Sequence, residues 1–265
     1  MPPLPPSFEA RLVQARPLTP SVRELVFERL DGQPMAFVPG QWVSAFCMTE
    51  ATAGEAPATE AADAPATAAL EVETKRSYSI ASAPDGSARF ELAITRVQDG
   101  PMSTRLHAME PGTVLRFTGP QGFFTRTPEA SAAPALMIAT GTGVTPMRSM
   151  LRAAATQPSP GAVCLLLGVR HEEDLLYEDE LRAAARDHGF FRFEPTLSQP
   201  RGPWGGRRGY VQTHVRALWD ELVARGEGPP HAYVCGLERM VGSVRELLRK
   251  EMGIPRQQVH GERYD

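Results

Sequence analysis

Apolar and polar positions follow two different rhythms along this chain. In the first half they alternate over short stretches, which predicts strands over 8–13, 22–27, 41–46, 77–81, 90–97 and 114–117, with Gly and Pro in the gaps. Several short strands at this spacing predict a small antiparallel Greek-key β-barrel. From residue 134 on, apolar runs at 135–139, 163–167, 191–194 and 232–235 alternate with helical stretches at 146–155, 173–187, 212–225 and 238–252. In the last stretch Met240, Val244, Leu247 and Leu248 recur at helical spacing, with Glu and Arg on the other face. Strands alternating with helices predict a doubly wound parallel sheet, of five strands if 259–264 is counted as the last. The rhythm changes in a Thr-, Pro- and Ala-rich link, so the expected domains are 1–128 and 129–265. Residues 50–69 are almost wholly Ala, Thr, Glu, Asp, Pro and Gly. They cannot bury enough apolar area to offset their ordering entropy and read as a mobile loop inserted between two barrel strands.

The 265 residues suffice for two domains, and 42% hydrophobic content supports real cores. A net charge of -3 carries no electrostatic footprint for nucleic acid. The three cysteines, Cys47, Cys164 and Cys235, are far apart and form no CxxC. Four thiolates are usual for an iron–sulfur cluster, so no in-chain [2Fe–2S] centre, no metal site and no disulfide framework is expected. The N-terminus lacks the basic and apolar regions of a signal peptide, and no apolar stretch is long enough to span a membrane. The chain reads as cytoplasmic and monomeric.

Four local patterns carry chemistry. Arg76-Ser77-Tyr78-Ser79 combines a forked cation, hydroxyls and a flat ring, which suits a flavin and its phosphates. Alternation places Arg76 and Tyr78 on one face of a strand and Ser77 and Ser79 on the other. Gly100-Pro101-Met102-Ser103-Thr104 follows the strand that contains Ala93, Ile94 and Thr95; Ser103 or Thr104 can cap a short helix whose free N–H groups would hold an anion. Gly141-Thr142-Gly143 follows an apolar strand ending at Thr140. This is a dinucleotide-type turn, although Pro146 stands where the third glycine of GxGxxG would fall. Cys235-Gly236 ends another apolar strand, at the edge of a doubly wound sheet where ligands bind. Cys47 and Cys164 read as core packing.

In this order, with Glu262-Arg263-Tyr264 at the C-terminus, these patterns resemble the ferredoxin–NADP reductase family of flavoproteins. The resemblance covers nearly the whole chain outside the 50–69 insert and the first residues. It implies an FAD barrel followed by an NADP domain, and a hydride transfer between nicotinamide and flavin with single electrons exchanged with a separate ferredoxin or flavodoxin. It implies that Ser79, Cys235 and Glu262 line the reacting rings, Glu262 as a proton relay and Cys235 as a shaping group rather than a nucleophile. It assigns FAD to Arg76, Ser77, Tyr78, Ser79, Ala93, Ile94, Thr95, Pro101, Met102, Ser103 and Tyr264. It assigns NADP to Thr140, Gly141, Thr142, Gly143, Pro146, Val169, Arg170, Ser198, Arg208, Tyr210, Cys235 and Gly236. Asp265 after Tyr264 departs from the plant-type ending.

A 2′-phosphate needs cations and hydroxyls, whereas a bare 2′-hydroxyl prefers a carboxylate. Residues 196–210 contain no Asp or Glu. The resemblance to plant-type reductases implies Ser-Arg and then Lys-x-Tyr for the 2′-phosphate; here Ser198-Gln199 and Arg208-Gly209-Tyr210 stand at those places, so Arg208 keeps one charge and Gln199 loses the other. NADP is therefore expected, with Arg201 and Arg207 as substitutes for the lost charge. Two other readings remain: an NADH-dependent reductase serving an oxygenase or cytochrome, and a non-catalytic subunit that keeps the fold and only binds a partner.

Overall fold

The structure, a computed structural model, describes residues 6–50 and 71–264. Beyond Glu50, the insert expected at 50–69 lies outside the described residues, as does Asp265.

The first sheet consists of β1 (Ser7–Thr19), β2 (Val22–Arg29), β3 (Trp42–Glu50), β4 (Glu71–Ser79), β5 (Arg89–Thr95) and β6 (Val114–Gln121), in the order β4-β3-β6-β1-β2-β5 with every neighbouring pair antiparallel. A bridge from Ile80, just past β4, to Leu92 on β5 joins the two ends of that order and closes the barrel. The alternation that predicts these strands also fills the interior. Phe8, Phe27, Phe90 and Phe117 point inward from four strands, with Phe27 and Phe117 edge to face at 5.0 Å. A short helix, α1 (Pro101–His107), follows β5.

The second sheet runs β10-β9-β8-β7-β11-β12 and is parallel throughout. Its strands are β7 (Ala135–Thr140), β8 (Val163–Val169), β9 (Phe191–Leu197), β10 (Arg207–Arg208), β11 (His231–Leu237) and β12 (Val259–Tyr264). Five are the expected ones. The sixth, β10, has two residues, too few to show any periodicity. Helices α2 (Val144–Ala154), α3 (Glu178–Asp187), α4 (Gln212–Ala224) and α5 (Glu238–Glu246) cover both faces. On β7, Ala135, Met137 and Ala139 pack with Met147 of α2 and Leu181 of α3, while Leu136 and Ile138 pack with Leu218 of α4 and Val244 of α5. Burial on both faces turns a strand into a continuous apolar run.

Two helices differ from expectation. The helix predicted at 173–187 begins at Glu178, because Tyr177 adopts a left-handed backbone, φ 56°, after a short 3-10 turn at Glu172–Asp174. The helix predicted to reach 252 stops as regular α-helix at Glu246 and continues as a wider turn over Leu247–Glu251.

The two sheets meet along a packed seam. Val22 and Ala93 from the barrel and Phe124 from the link are buried in the same core as α2 and β7, and the Phe124 ring lies edge-on to Tyr233 at 5.9 Å. Among the described residues, no helix is long and apolar enough to cross a membrane.

Candidate active site at the seam

Ser79 ends β4 and is buried at the seam. Parallel pairing of β11 with β12 sets Cys235 opposite Glu262 and Leu237 opposite Tyr264. Residues far apart in sequence thereby converge. The Tyr264 hydroxyl donates to Ser79 Oγ at 2.6 Å, and Ser79 Oγ donates to Glu262 Oε1 at 3.1 Å. Thr145 Oγ1, in the first turn of α2, lies 3.3 Å from the Tyr264 hydroxyl. Burial pushes Glu262 up to about 7, with the Ser79 hydrogen bond opposing. Burial, and then the Glu262 charge, raise Cys235 well above the usual thiol range. Burial also raises Tyr264 well above 10, aided by Cys235 and Glu262. Near pH 7 the cysteine and tyrosine hold their protons and only Glu262 titrates, so Cys235 is no thiolate nucleophile. Beside Glu262 opens a cavity of about 730 Å³, lined by Gln41, Trp42, Gln121, Phe123 and His260.

The glycine turn sits against this cluster. Thr140 ends β7, Gly141–Gly143 form a 3-10 turn, and α2 starts at Val144 with Pro146 buried in its first turn. A side chain at Gly143 would place Cβ 2.2 Å from the Cys235 carbonyl oxygen. Gly236, at φ 143°, approaches Thr140 Oγ1 so closely that a Cβ would fall 2.3 Å away. Gly143 is thus required by close approach of backbone to backbone, and Gly236 by its positive φ and the nearby Thr140 hydroxyl. Thr140 Oγ1 is buried and has no hydrogen-bond partner among the described residues. The Gly141–Gly143 turn, continuous with α2, stands at the carboxyl edge of a parallel sheet, where its backbone can approach a dinucleotide phosphate.

On the barrel side, Tyr78 is half-buried and packs against the barrel core, while Arg76 and Ser77 are exposed. Ser77 Oγ lies 3.2 Å from Ser44 Oγ, and Arg76 Nη1 donates to the Lys75 carbonyl at 2.8 Å. An exposed guanidinium with no carboxylate partner among the described residues suits the phosphates of a flavin dinucleotide. Ala93 and Ile94 are buried; Thr95 is exposed and its hydroxyl donates to Thr142 Oγ1 at 3.3 Å, across the seam. Pro101 begins α1, and Met102 and Ser103 are buried within it. Ser103 is not the cap. Gly100 takes that position without a side-chain bond, and the Ser103 hydroxyl donates to the Gly100 carbonyl at 3.0 Å and accepts the Val97 N–H at 3.1 Å. What α1 has left for an anion is backbone N–H.

At the far end of the sheet, β8 and β9 bring Val169 and Ser198 together: the Ser198 N–H donates to the Val169 carbonyl at 3.0 Å, and the Gln199 N–H to that of Arg170 at 2.9 Å. Arg170, Arg208 and Tyr210 are exposed beside them. Arg208 Nη2 donates to the Trp204 carbonyl at 3.1 Å. The two arginines expected to replace the charge missing at Gln199 are otherwise engaged. Arg201 pairs with Glu173 at 2.6 Å and Arg207 with Glu194 at 2.7 Å. The acids come from outside the 196–210 segment, so its own sequence could not show them. Thr145 was also invisible in sequence, since a threonine near a helix start has many uses.

The chain matches two family models, the oxidoreductase FAD-binding domain over residues 64–125 and the oxidoreductase NAD-binding domain over 137–246. It is 52% identical to "Ferredoxin--NADP reductase B" of Sorangium cellulosum (strain So ce56) over 259 residues, 97% of this chain and 98% of that one. It is 32% identical to the chloroplastic ferredoxin--NADP reductase of Chlamydomonas reinhardtii over 210 residues, 69% of this chain and 59% of that one. Among solved structures, a ferredoxin NADP+ reductase from Neisseria gonorrhoeae with bound FAD and NADP shares the fold at a TM-score of 0.73 and 22% identity, covering 97% of this chain and 98% of that one.

Proposed function

We infer the reaction from family membership: the chain belongs to the ferredoxin–NADP reductases. It is an FAD-dependent oxidoreductase acting between NADP(H) and FAD. FAD, when bound, supplies the chemistry that takes up a hydride from NADPH and passes electrons on one at a time. The observation that carries the placement of this reaction is the meeting of Ser79, Cys235, Glu262 and Tyr264, from four strand positions, at the seam.

The roles of individual residues are our proposal. The chain divides into a flavin part, 1–128, and a nicotinamide part, 129–265, in keeping with sheets that end at Gln121 and restart at Ala135. Arg76, Ser77, Tyr78 and Ser79, with Ala93, Ile94 and Thr95, hold FAD. The backbone N–H groups of Met102 and Ser103 after Pro101 face its phosphates, and Tyr264 borders its ring. Thr140, the turn Gly141–Gly143, Pro146, Cys235 and Gly236 hold the nicotinamide half of NADP. Val169, Arg170, Ser198, Arg208 and Tyr210 hold the adenosine half. With Arg201 and Arg207 engaged by carboxylates, Arg170 and Arg208 are the cations left for the 2′-phosphate. Cys235 stays a thiol and shapes the site. Ser79 Oγ passes a proton to Glu262 Oε1, which exchanges it with water in the adjoining cavity. The enzyme works as a cytoplasmic monomer, and its electron partner is a ferredoxin or a flavodoxin-like carrier.

Anaerobic stopped-flow reduction by NADPH and NADH in parallel tests this reading. Rapid bleaching of the flavin band with strong NADPH preference is expected. Preference for NADH removes the 2′-phosphate assignment of Arg170 and Arg208, and no bleaching by either removes the catalytic reading.

A further inference from the structure

Arg148, on α2, is one of the largest fully buried side chains in the protein, at 1% exposure. Its guanidinium is shared between the two halves of the molecule. On its own side, Nε donates to both oxygens of Glu180 on α3 at 3.0 Å, Nη2 donates to Glu180 Oε2 at 2.8 Å, and the group lies 4.1 Å from the centre of the Tyr177 ring. Across the seam, Nη1 donates to the Ala81 carbonyl at 3.0 Å and to Glu91 Oε2 on β5. Arg152, one turn further along α2, repeats the pattern, with Glu180 at 2.9 Å and Glu91 at 3.4 Å. Burial opposes the Arg148 charge, and the Glu180 hydrogen bonds, Tyr177 and Glu91 more than offset it.

Both ends of this clamp touch elements of the site. Ala81 lies two residues past Ser79, and its own N–H donates to the Glu91 carbonyl at 2.8 Å. Arg148 lies one turn past Thr145 on the helix that starts from the glycine turn. A buried ion pair is a poor device for stability, since desolvation consumes most of the Coulombic gain. What it does supply is one defined geometry between the groups it joins.

We propose that Arg148 is a positioning residue for hydride transfer: with Glu91 it holds the start of α2 and the Gly141–Gly143 turn in register with the strand end that carries Ser79. This rests on the assignment of nicotinamide to the glycine turn and flavin to the Ser79 strand. A rigid helix transmits any shift at Arg148 to the turn, and a misplacement of about 1 Å in a reacting pair can cost about a hundredfold in rate.

The two carboxylates allow a test within one guanidinium. Glu91 makes the charged contact across the seam, beside the Ala81 carbonyl, whereas Glu180 makes one within the second half. In the FAD-loaded full chain, Glu91→Gln is expected to lower the limiting rate of flavin reduction by NADPH about tenfold to a hundredfold, with the half-saturating NADPH concentration changed by less than about twofold. Hydrogen exchange should rise in peptides on both sides of the seam, 80–92 and 141–152. Glu180→Gln should leave the limiting rate within about twofold and loosen only the α3 side. Equal loss of rate in both variants, or a wild-type rate and wild-type seam exchange in Glu91→Gln, overturns the proposal. Failure of NADPH to reduce the wild-type flavin would instead overturn the functional assignment on which it rests.

Discussion

Glu262 sits at the receiving end of a one-way chain of hydrogen bonds, from Tyr264 to Ser79 to Glu262. When NADPH reduces a one-electron carrier, each hydride consumed releases two electrons and one proton, and the proton needs a base. With its carboxyl at about 7, Glu262 serves as that base only when ionised, so turnover in this direction should rise as pH passes about 7. Glu262→Gln is expected to remove that rise and to slow reduction of the carrier about a hundredfold. A variant with an unchanged pH profile and rate would sink the relay. Stability runs the other way. The folded carboxyl binds its proton more tightly than the ordinary 4.5, so stability is lost as pH climbs from 4.5 through about 7. Thermal melts of Glu262→Gln should lack that slope. At the other end of the site, Arg208→Ala should raise the half-saturating NADPH concentration about tenfold to a hundredfold, as for loss of one charge-assisted hydrogen bond, and leave that for NADH unchanged. Residue types and spacings made Ser79, Cys235, Glu262 and Arg208 visible as candidates in the sequence. The raised pKa of Glu262 and the pairing of Arg201 and Arg207 with carboxylates were not visible, because each depends on groups brought from another part of the chain.

Elements place these side chains, and glycine decides how closely elements approach. The turn after β7 rests on the end of β11, with no room at Gly143 for a methyl group because the obstacles are the Cys235 carbonyl and the Gly236 nitrogen. Backbone cannot rotate out of the way as a side chain can. Gly143→Ala is therefore expected to destabilise the fold by about 1–3 kcal/mol in urea denaturation and to abolish saturable reduction by NADPH, since the turn must leave the strand it lies on. Full stability together with normal NADPH titration would contradict this. Most elements were legible from periodicity alone. The late start of α3 was not: the charged, helix-favouring run from Glu172 to Asp174 is broken from α3 by Tyr177, which is held in a left-handed conformation beneath Arg148. The short β10 was illegible for want of length.

At the scale of the whole molecule, the seam makes one enzyme of two sheets. Phe124 contributes to it from the link, 5% exposed and edge-on to Tyr233. Phe124→Ala should cost about 3–5 kcal/mol and, in calorimetry, separate one unfolding transition into two, because the cavity opens where the halves join. A single transition at the wild-type temperature would show that the seam contributes little. By itself, the sequence determined the order of strands and helices, the two-part architecture and the types of chemical group available. These depend on local periodicity and on short motifs, and both are written in neighbouring residues. Only the tertiary structure decided which groups meet. The joining of Ser79 to Glu262, 183 positions apart, and the sharing of one buried guanidinium between Glu91 and Glu180 arise when separate elements pack. Packing removes water from those contacts, and that desolvation sets the acidity of Glu262 and gives the Arg148 clamp its single geometry.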